Sequence, residues 1–372
     1  MAKTKAELQS ELQAEALHYI GKRSGIAVEI GTGGGKTLLG LKHMAQNYTD
    51  TISFLVVAPT KVILNSWVDN AHEHGYEYLL SSITFSTYRS LHKQDLRHDW
   101  TYLDECHSLK ESHIEWLDCY LVVGGKILAF TGTYPTGNQS EKARMCQEYC
   151  PKIFEYHVDE AIDNGMLNNY KIFVHMLNLD KKRRSVKKTG KNGREWYTTE
   201  QADYDYWEKA MHGANNPGQQ QMLRILRMKA IQAYPTKVEY VKTILNKIQE
   251  KTLVFANTKA QADELCKHSC HSSNPKSDEN LELFRQGKIY RLSCIDQLSE
   301  GANIADLKVG IIMHSFSNER KARQKIGRFL RLSPEETAII HILCFEDSID
   351  LHWVKNALKS FNQSKIHIYR PK

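Results

Sequence analysis

The sequence predicts an α/β protein with two parallel sheets, each with crossover helices. Two stretches of the 372-residue chain alternate short apolar runs with amphipathic helical patterns, and a polar segment lies between them. The length is typical of two domains, and a hydrophobic content of 41% is enough to form a core in each. We expect domains at 1–158 and 159–372, the second with a polar, basic insertion at about 180–234.

Each stretch contains five strand candidates. In the first stretch they are 26–30, 52–58, 82–85, 101–103 and 126–130. In the second stretch they are 170–177, 252–256, 289–294, 309–313 and 339–344. The insertion adds a predicted helix at 219–233.

No apolar run approaches the roughly 20 residues that cross a bilayer, and the first residues have no signal-peptide core. We therefore expect a cytoplasmic protein without membrane contact, whose eight scattered cysteines are thiols. Two pairs, Cys146 with Cys150 and Cys266 with Cys270, are each spaced by one helical turn. Zinc knuckles usually have the closer Cys-x-x-Cys spacing, so helix-face thiols are favoured over a zinc site.

The net charge of +7 comes from one segment between Lys181 and Arg194. This basic block has eight bases and no acid: Lys181, Lys182, Arg183, Arg184, Lys187, Lys188, Lys191 and Arg194. Such a block is expected to be a solvated, mobile loop, either a linker kept soluble by charge or a loop that binds nucleic-acid phosphates. Trp196, Tyr197 and Trp207 follow it, and could stack on bases or pack the insertion onto a domain.

A glycine-rich segment at 31–37 follows the first predicted strand and precedes a helix, as a phosphate-binding loop does. Glycines allow backbone N–H groups to surround phosphates, Lys36 can reach the terminal phosphates, and the Thr37 hydroxyl can bind magnesium. The strict pattern has glycine six residues before the lysine, where this chain has Ile30.

An Asp-Glu-Cys-His motif at 104–107 follows another predicted strand. A phosphate loop needs one carboxylate for the metal and usually a second to position the attacking water, and Asp104 and Glu105 supply both. Cys106 beside His107 is interpreted as part of this motif rather than as a thiol nucleophile. In isolation the tetrapeptide could equally be an exposed acidic turn.

With these two motifs the chain resembles the superfamily 2 helicases, in which the missing early glycine is normal. Their other motifs follow in order along nearly the whole chain. The counterparts are 57–60 for motif Ia, 85–88 for Ib, 130–133 for III, 253–258 for IV, 298–304 for V and 324–331 for VI.

The resemblance implies two RecA-like domains with ATP and Mg²⁺ in the cleft between them. The implied site residues are Thr32, Gly33, Gly34, Gly35, Lys36 and Thr37 for the nucleotide, Thr37 and Asp104 for the metal, and Glu105, Gln324, Arg328 and Arg331 for catalysis. The two arginines would act as arginine fingers on the terminal phosphate. Gln13 lies where relatives often have a glutamine that reads adenine.

The motif details resemble DNA-directed translocases of the XPB, UvsW and type III restriction kind, although motif V has Ile295 where a hydroxyl residue is frequent. We expect an ATP-dependent helicase or translocase, with single-stranded or branched DNA as the favoured partner. The alternatives are an RNA helicase and an ATP-gated clamp that does not separate strands. The expected nucleic-acid contacts are Pro59, Thr60, Thr87, Asn257 and Thr258, with Lys181, Lys182, Arg183 and Arg184.

The small size resembles phage-encoded helicases, which implies a bacterial cytoplasm or that of a phage-infected host. We expect a monomer, and the sequence identifies no protein partner.

Overall fold

A computed structural model of the chain describes residues 3–31, 33–136, 140–190, 192–295, 304, 306–314, 319–330, 332–359 and 361–371. The chain forms two compact units, and the first extends to Asn169 while the second begins at Tyr170. The first unit therefore continues past residue 158, where the sequence suggested a boundary. The reason is local packing, since Val158 and Leu167 lie against the backbone of Gly31 and Gly33.

The first unit is built on a six-stranded sheet in the order β3-β2-β4-β5-β1-β6, in which all adjacent strands are parallel. The strands are β1 (Ile26–Ile30), β2 (Phe54–Ala58), β3 (Ile83–Thr87), β4 (Trp100–Asp104), β5 (Lys126–Thr131) and β6 (Lys152–Tyr156). The helices are α1 (Lys5–Ile20), α2 (Lys36–Asn47), α3 (Lys61–Glu73), α4 (Ile114–Val122), α5 (Glu141–Tyr149) and α6 (Val158–Asp163). Strands β1, β2 and β4 are buried along their whole length, as expected for a parallel sheet covered on both faces.

The second unit contains a seven-stranded sheet in the order β11-β12-β10-β13-β14-β7-β15. Its strands are β7 (Asn169–Leu177), β10 (Thr252–Phe255), β11 (Ser269–Cys270), β12 (Arg291–Cys294), β13 (Val309–Ile312), β14 (Thr337–Phe345) and β15 (Ile366–Tyr369). Its helices outside the insertion are α9 (Pro235–Leu245), α10 (Lys259–Leu265), α11 (Ser277–Arg285), α12 (Glu319–Gly327) and α13 (Ile349–Ala357). The predicted class, two α/β domains with parallel sheets, is confirmed.

The basic block is more ordered than the sequence suggested. It forms part of an antiparallel hairpin, β8 (Val186–Thr189) with β9 (Glu195–Thr198), followed by helices α7 (Glu200–His212) and α8 (Pro217–Ala233). The expectation of a mobile loop was wrong because three of the eight bases form ion pairs with acidic residues outside the block. The ion pairs are Lys188 with Asp203 at 2.5 Å, Lys187 with Glu195 at 2.6 Å and Arg183 with Glu239 at 2.7 Å.

A lysine is fully buried in the core of the second unit. Lys237 Nζ, on α9, lies 2.5 Å from Asp350 Oδ2 and donates hydrogen bonds to the carbonyl oxygens of Met313 and Leu343 at 3.0 and 3.2 Å. It also lies 3.0 Å from His314 Nδ1. Because the pair is enclosed and hydrogen-bonded on several sides, it ties α9, α13 and the sheet together.

None of the helices that the structure describes is both long and apolar enough to cross a membrane.

Candidate nucleotide-binding site

The loop after β1 contains two glycines whose backbone conformation other residues rarely adopt. Gly33 and Gly35 have φ angles of +91° and +75°, which residues with a Cβ atom rarely adopt. A Cβ atom at Gly35 would also collide with the side-chain amides of Gln9 and Gln13. Gly35 precedes the first turn of α2, and no side chain caps that turn. The first N–H groups of α2 are therefore available to an anion.

Lys36 occupies the first position of α2. Its Nζ donates a hydrogen bond to the carbonyl oxygen of Ile30 at 3.3 Å and lies 3.8 Å from Glu105 Oε1. The Lys36 side chain is 16% exposed. The ammonium group thus stands above the loop, close to where a phosphate held by the loop would lie.

The two carboxylates follow β4, and each is held differently. Asp104 is buried, and the indole Nε1 of Trp67 on α3 donates a hydrogen bond to its Oδ2 at 2.8 Å. The hydroxyl of Tyr88 donates to the Asp104 carbonyl oxygen at 3.0 Å. Trp67 and Tyr88 therefore fix both the carboxylate and the backbone of Asp104.

Glu105 has a φ angle of +52°, a left-handed conformation that costs about 1–3 kcal/mol for a residue with a side chain. The hydroxyl of Thr131, at the end of β5, lies 3.3 Å from Glu105 Oε2, and His107 Nδ1 lies 3.2 Å from the same oxygen. His107 Nδ1 is also 3.0 Å from the Thr131 hydroxyl. This triangle orients the carboxylate, and the role of His107 in it was not among the sequence predictions.

The electrostatic surroundings separate the two acids. Burial, together with the adjacent Glu105, raises the pKa of Asp104. Burial also opposes ionisation of Glu105, but Lys36 and His107 outweigh it and lower the pKa of Glu105. Glu105 is therefore the member of the pair that holds its charge more strongly, whereas at Asp104 the charge of Lys36 does not offset burial and the adjacent Glu105.

Gln13, on α1, is fully buried, and its Nε2 donates a hydrogen bond to the Gly35 carbonyl oxygen at 3.2 Å. The glutamine thus supports the phosphate loop. Its reading of adenine stays a prediction.

The predicted nucleic-acid contacts lie at carboxyl ends of parallel strands. Thr60 follows β2, Thr87 ends β3, and Thr258 follows β10. Thr60 and Thr258 also begin helices, since their hydroxyls accept hydrogen bonds from the backbone N–H groups of Ile63 at 3.4 Å and Gln261 at 3.2 Å. Pro59 precedes Thr60, and the backbone N–H of Asn257 donates to the side chain of Gln261.

In the second unit, Gln324 lies on α12 and Arg328 directly follows this helix. Arg328 is buried, with 8% of its surface exposed, and its backbone N–H donates to the Lys325 carbonyl oxygen at 3.3 Å. Lys325 Nζ lies 5.2 Å from the centre of the ring of Phe255, the last residue of β10. Thr32, Arg331 and residues 298–303 of motif V lie outside the described residues.

Family models match both halves of the chain. The DEAD/DEAH box helicase model matches residues 10–119, which include the phosphate loop and both carboxylates. The helicase conserved C-terminal domain model matches residues 236–333. The chain belongs to the superfamily 2 helicases and translocases, a class of ATP-dependent enzymes.

One relative and two solved structures of similar fold illustrate the similarity. The DNA 3′-5′ translocase XPB2 of Sulfurisphaera tokodaii is 23% identical over 92% of this chain and 83% of the relative. The ATP-dependent Type ISP restriction-modification enzyme LlaBIII bound to DNA has a similar fold, with a TM-score of 0.62, 12% identity and coverage of 98% of this chain but 31% of that one. The structure of S. cerevisiae Dbp5 bound to RNA and ADP BeF3 gives a TM-score of 0.59 and 11% identity, and the match covers 97% of this chain and 89% of that one.

Proposed function

We propose that this protein is a nucleic-acid-stimulated ATPase that moves along DNA or separates its strands. The observation that carries the proposal is the convergence of Lys36, Asp104 and Glu105 at one edge of the first sheet, beside a loop shaped for phosphates. These three side chains supply a phosphate-binding cation, a metal ligand and a residue that positions water.

Glu105 is proposed to orient and activate the attacking water. Its lowered pKa keeps it ionised, and Thr131 and His107 hold its carboxylate in one orientation. Lys36 would bind the terminal phosphates, and the uncapped first turn of α2 would add N–H donors. Arg328 and Arg331 are proposed as the arginine fingers, with Gln324 beside them.

Thr37 and Asp104 are proposed to hold Mg²⁺, which would neutralise phosphate charge. Oxygen donors of this kind suit a hard cation. The electrostatics also fit, because two adjacent carboxylates share one nearby lysine and the pKa of Asp104 is raised. A divalent cation would supply the missing positive charge.

DNA is favoured over RNA as the substrate. XPB2, which shares 23% identity with this chain, is named a DNA translocase, and LlaBIII was solved bound to DNA, whereas Dbp5, at 11% identity, was solved bound to RNA. The motif details also resemble DNA-directed translocases. Stimulation of ATP hydrolysis by RNA is therefore the main alternative to stimulation by DNA.

The hairpin of the insertion is proposed to contact the strand. Trp196 and Tyr197 on β9 are 48% and 55% exposed, so they are available for stacking on bases. Lys181, Lys182 and Arg184 are also exposed, and lie just before the hairpin. Trp207, in contrast, packs within the insertion, where Lys188 Nζ lies 5.2 Å from its ring centre.

The substrate proposal is tested by measuring ATP hydrolysis with no nucleic acid, single-stranded DNA, duplex DNA, forked DNA and RNA. We expect stimulation by DNA, with release of the labelled strand from a fork. Stimulation by RNA alone would overturn the DNA preference. Stimulation by DNA without strand release would favour a translocase or clamp over a helicase.

The insertion is tested by replacing Lys181, Lys182 and Arg184 with Gln. Arg183, Lys187 and Lys188 are left unchanged because their ion pairs hold the insertion in place. We expect weaker DNA binding and a salt dependence of log Kd shallower by roughly 2, since each phosphate contact contributes about 0.7–0.9 to that slope. ATP hydrolysis at saturating DNA should be unchanged.

The matched control replaces three exposed lysines elsewhere in the second unit, Lys267, Lys276 and Lys288, with Gln. It removes the same charge but none of the proposed contacts. Equal effects in both triple variants would show that general charge, rather than the insertion, binds DNA.

A further inference from the structure

Three cysteines that are distant in sequence meet beneath the catalytic motif. Cys106 follows Glu105, Cys146 lies on α5, and Cys150 lies just after the end of that helix. Their sulfur atoms all lie within 4.8 Å of one another, and the sulfurs of Cys106 and Cys146 are 4.0 Å apart. We call these residues the thiol cluster.

The thiol cluster is closed to solvent. All three cysteines are fully buried, and they lie in an apolar core with Tyr88, Tyr134 and Met145 among its members. The Tyr134 hydroxyl donates to the Cys150 carbonyl oxygen at 3.0 Å, and the Cys146 thiol lies 3.4 Å from the Cys106 carbonyl oxygen. Structural metal sites in proteins are closed in the same way, whereas catalytic metal sites keep an open position.

The spacing of the sulfurs fits a metal ion. Three sulfurs placed around an ion at the usual metal–thiolate distance of about 2.3 Å lie about 4.0 Å apart when the ion is in their plane. The Cys106–Cys146 separation already has this value, and Cys150 is near enough to complete the triangle with a small adjustment.

The donor set indicates which ion would fit. Among the described residues, the thiol cluster is the one group of three or more potential metal ligands, and it contains no histidine or carboxylate. Structural zinc is almost always four-coordinate, which leaves a three-sulfur site one ligand short. Soft sulfur donors at low coordination number suit copper(I).

We propose that Cys106, Cys146 and Cys150 form a three-sulfur binding site for a soft d¹⁰ metal ion, with copper(I) as the preferred ion. Each sulfur that binds releases its proton to solvent, and the oxidation state of the metal does not change. Because Cys106 directly follows Glu105 in the chain, the ion would link α5 to the backbone beside the proposed catalytic carboxylate. Cys119, which is exposed, and Cys344, which is buried in the second unit, lie outside the group.

The test uses the full chain, reduced and handled without oxygen. Copper(I) is titrated in competition with bicinchoninate, and X-ray absorption at the copper edge reports the ligands. We expect one equivalent of copper(I) to be withdrawn from the chelator and a single shell of three sulfurs. A parallel titration with zinc should show weaker binding.

Cys146→Ala and Cys150→Ala should each lose this equivalent, whereas Cys344→Ala should keep it. Circular dichroism and thermal unfolding establish that each variant is folded. Failure of the wild-type chain to compete with bicinchoninate, a shell containing nitrogen or oxygen, or preference for zinc would each overturn the proposal. The X-ray absorption spectrum of the wild-type protein tests for three sulfur ligands even if a variant does not fold.

Discussion

Each unit of the protein has a lysine close to a carboxylate, but the two pairs differ in how completely the lysine is satisfied. In the first unit, Lys36 and Glu105 are 3.8 Å apart, and each side chain is 16% exposed. In the second, Lys237 and Asp350 are 2.5 Å apart, and neither side chain is exposed. The first distance exceeds that of a hydrogen bond, whereas the second is a short, enclosed contact.

The difference separates a binding site from a structural contact. An ammonium group has three N–H donors, and Lys237 directs its own at Asp350 and at two backbone carbonyl oxygens. Lys36 instead donates one hydrogen bond of 3.3 Å to the Ile30 carbonyl oxygen and lies 3.8 Å from a carboxylate that it does not reach. A cation held in this way can bind a ligand, because little protein hydrogen bonding has to be broken first.

The largest expected effect is on hydrolysis in Lys36→Ala. Loss of the ammonium group should reduce ATP turnover by at least about 10³-fold, because Lys36 is the one cationic residue in the sequence of the loop, 31–37. The free energy of unfolding should change by about 1 kcal/mol, near the centre of the range for single substitutions. A steady-state ATPase assay and urea unfolding measure the two effects. A large loss of stability would show that Lys36, like Lys237, makes a structural contact.

Glu105→Gln should retain ATP binding but lower turnover by about 10²–10⁴-fold, because the amide cannot accept a proton from water. Fluorescent-nucleotide binding and single-turnover hydrolysis separate these steps. Hydrolysis at the wild-type rate would show that Glu105 is not the residue that activates water.

Lys237→Met should mainly affect stability. It leaves the buried Asp350 without its cation, which is expected to cost about 3–5 kcal/mol in the free energy of unfolding, measured by urea denaturation. The double variant Lys237→Met with Asp350→Leu should recover part of this loss, since no buried charge then remains. If Lys237→Met were as stable as the wild type, the pair of Lys237 and Asp350 would not contribute to the free energy of unfolding.

The smallest expected effect is that of Trp67→Phe, which removes the indole N–H bonded to Asp104 but keeps an aromatic ring. Loss of a hydrogen bond to a charged group costs about 1.5–3 kcal/mol, so turnover should fall roughly tenfold or more. The Mg²⁺ concentration for half-maximal activity should rise, because Asp104 loses its fixed orientation.

Trp116→Phe is the matched control. Its indole N–H donates to the Gln94 carbonyl oxygen at 3.0 Å, away from both carboxylates. A similar rise in the Mg²⁺ requirement in this variant would show that the effect of Trp67 is general packing rather than positioning of Asp104.

Local sequence was enough to predict much of the fold and that Lys36 would lie near Asp104 and Glu105. The apolar runs identified ten sheet strands, because strands buried on both faces are continuously apolar. Local sequence did not predict β6, in which Lys152 and Glu155 interrupt the apolar pattern, β11, which has two residues, or β15, which is mostly exposed. The phosphate loop and the Asp-Glu motif were predicted because glycine spacing and strand ends are properties of short segments.

What the tertiary structure decided is which distant segments meet. Trp67 reaches Asp104 from α3, and Asp203 and Glu239 pair with Lys188 and Arg183 of the basic block. The helical spacing of Cys146 and Cys150 was visible in the sequence, but their meeting with Cys106 was not. Cys266 and Cys270 have the same spacing, yet the first follows α10 and the second lies on β11. Spacing sets the contacts within one helix or loop, whereas contacts between segments depend on how the sheet orders its strands and how the helices pack upon it.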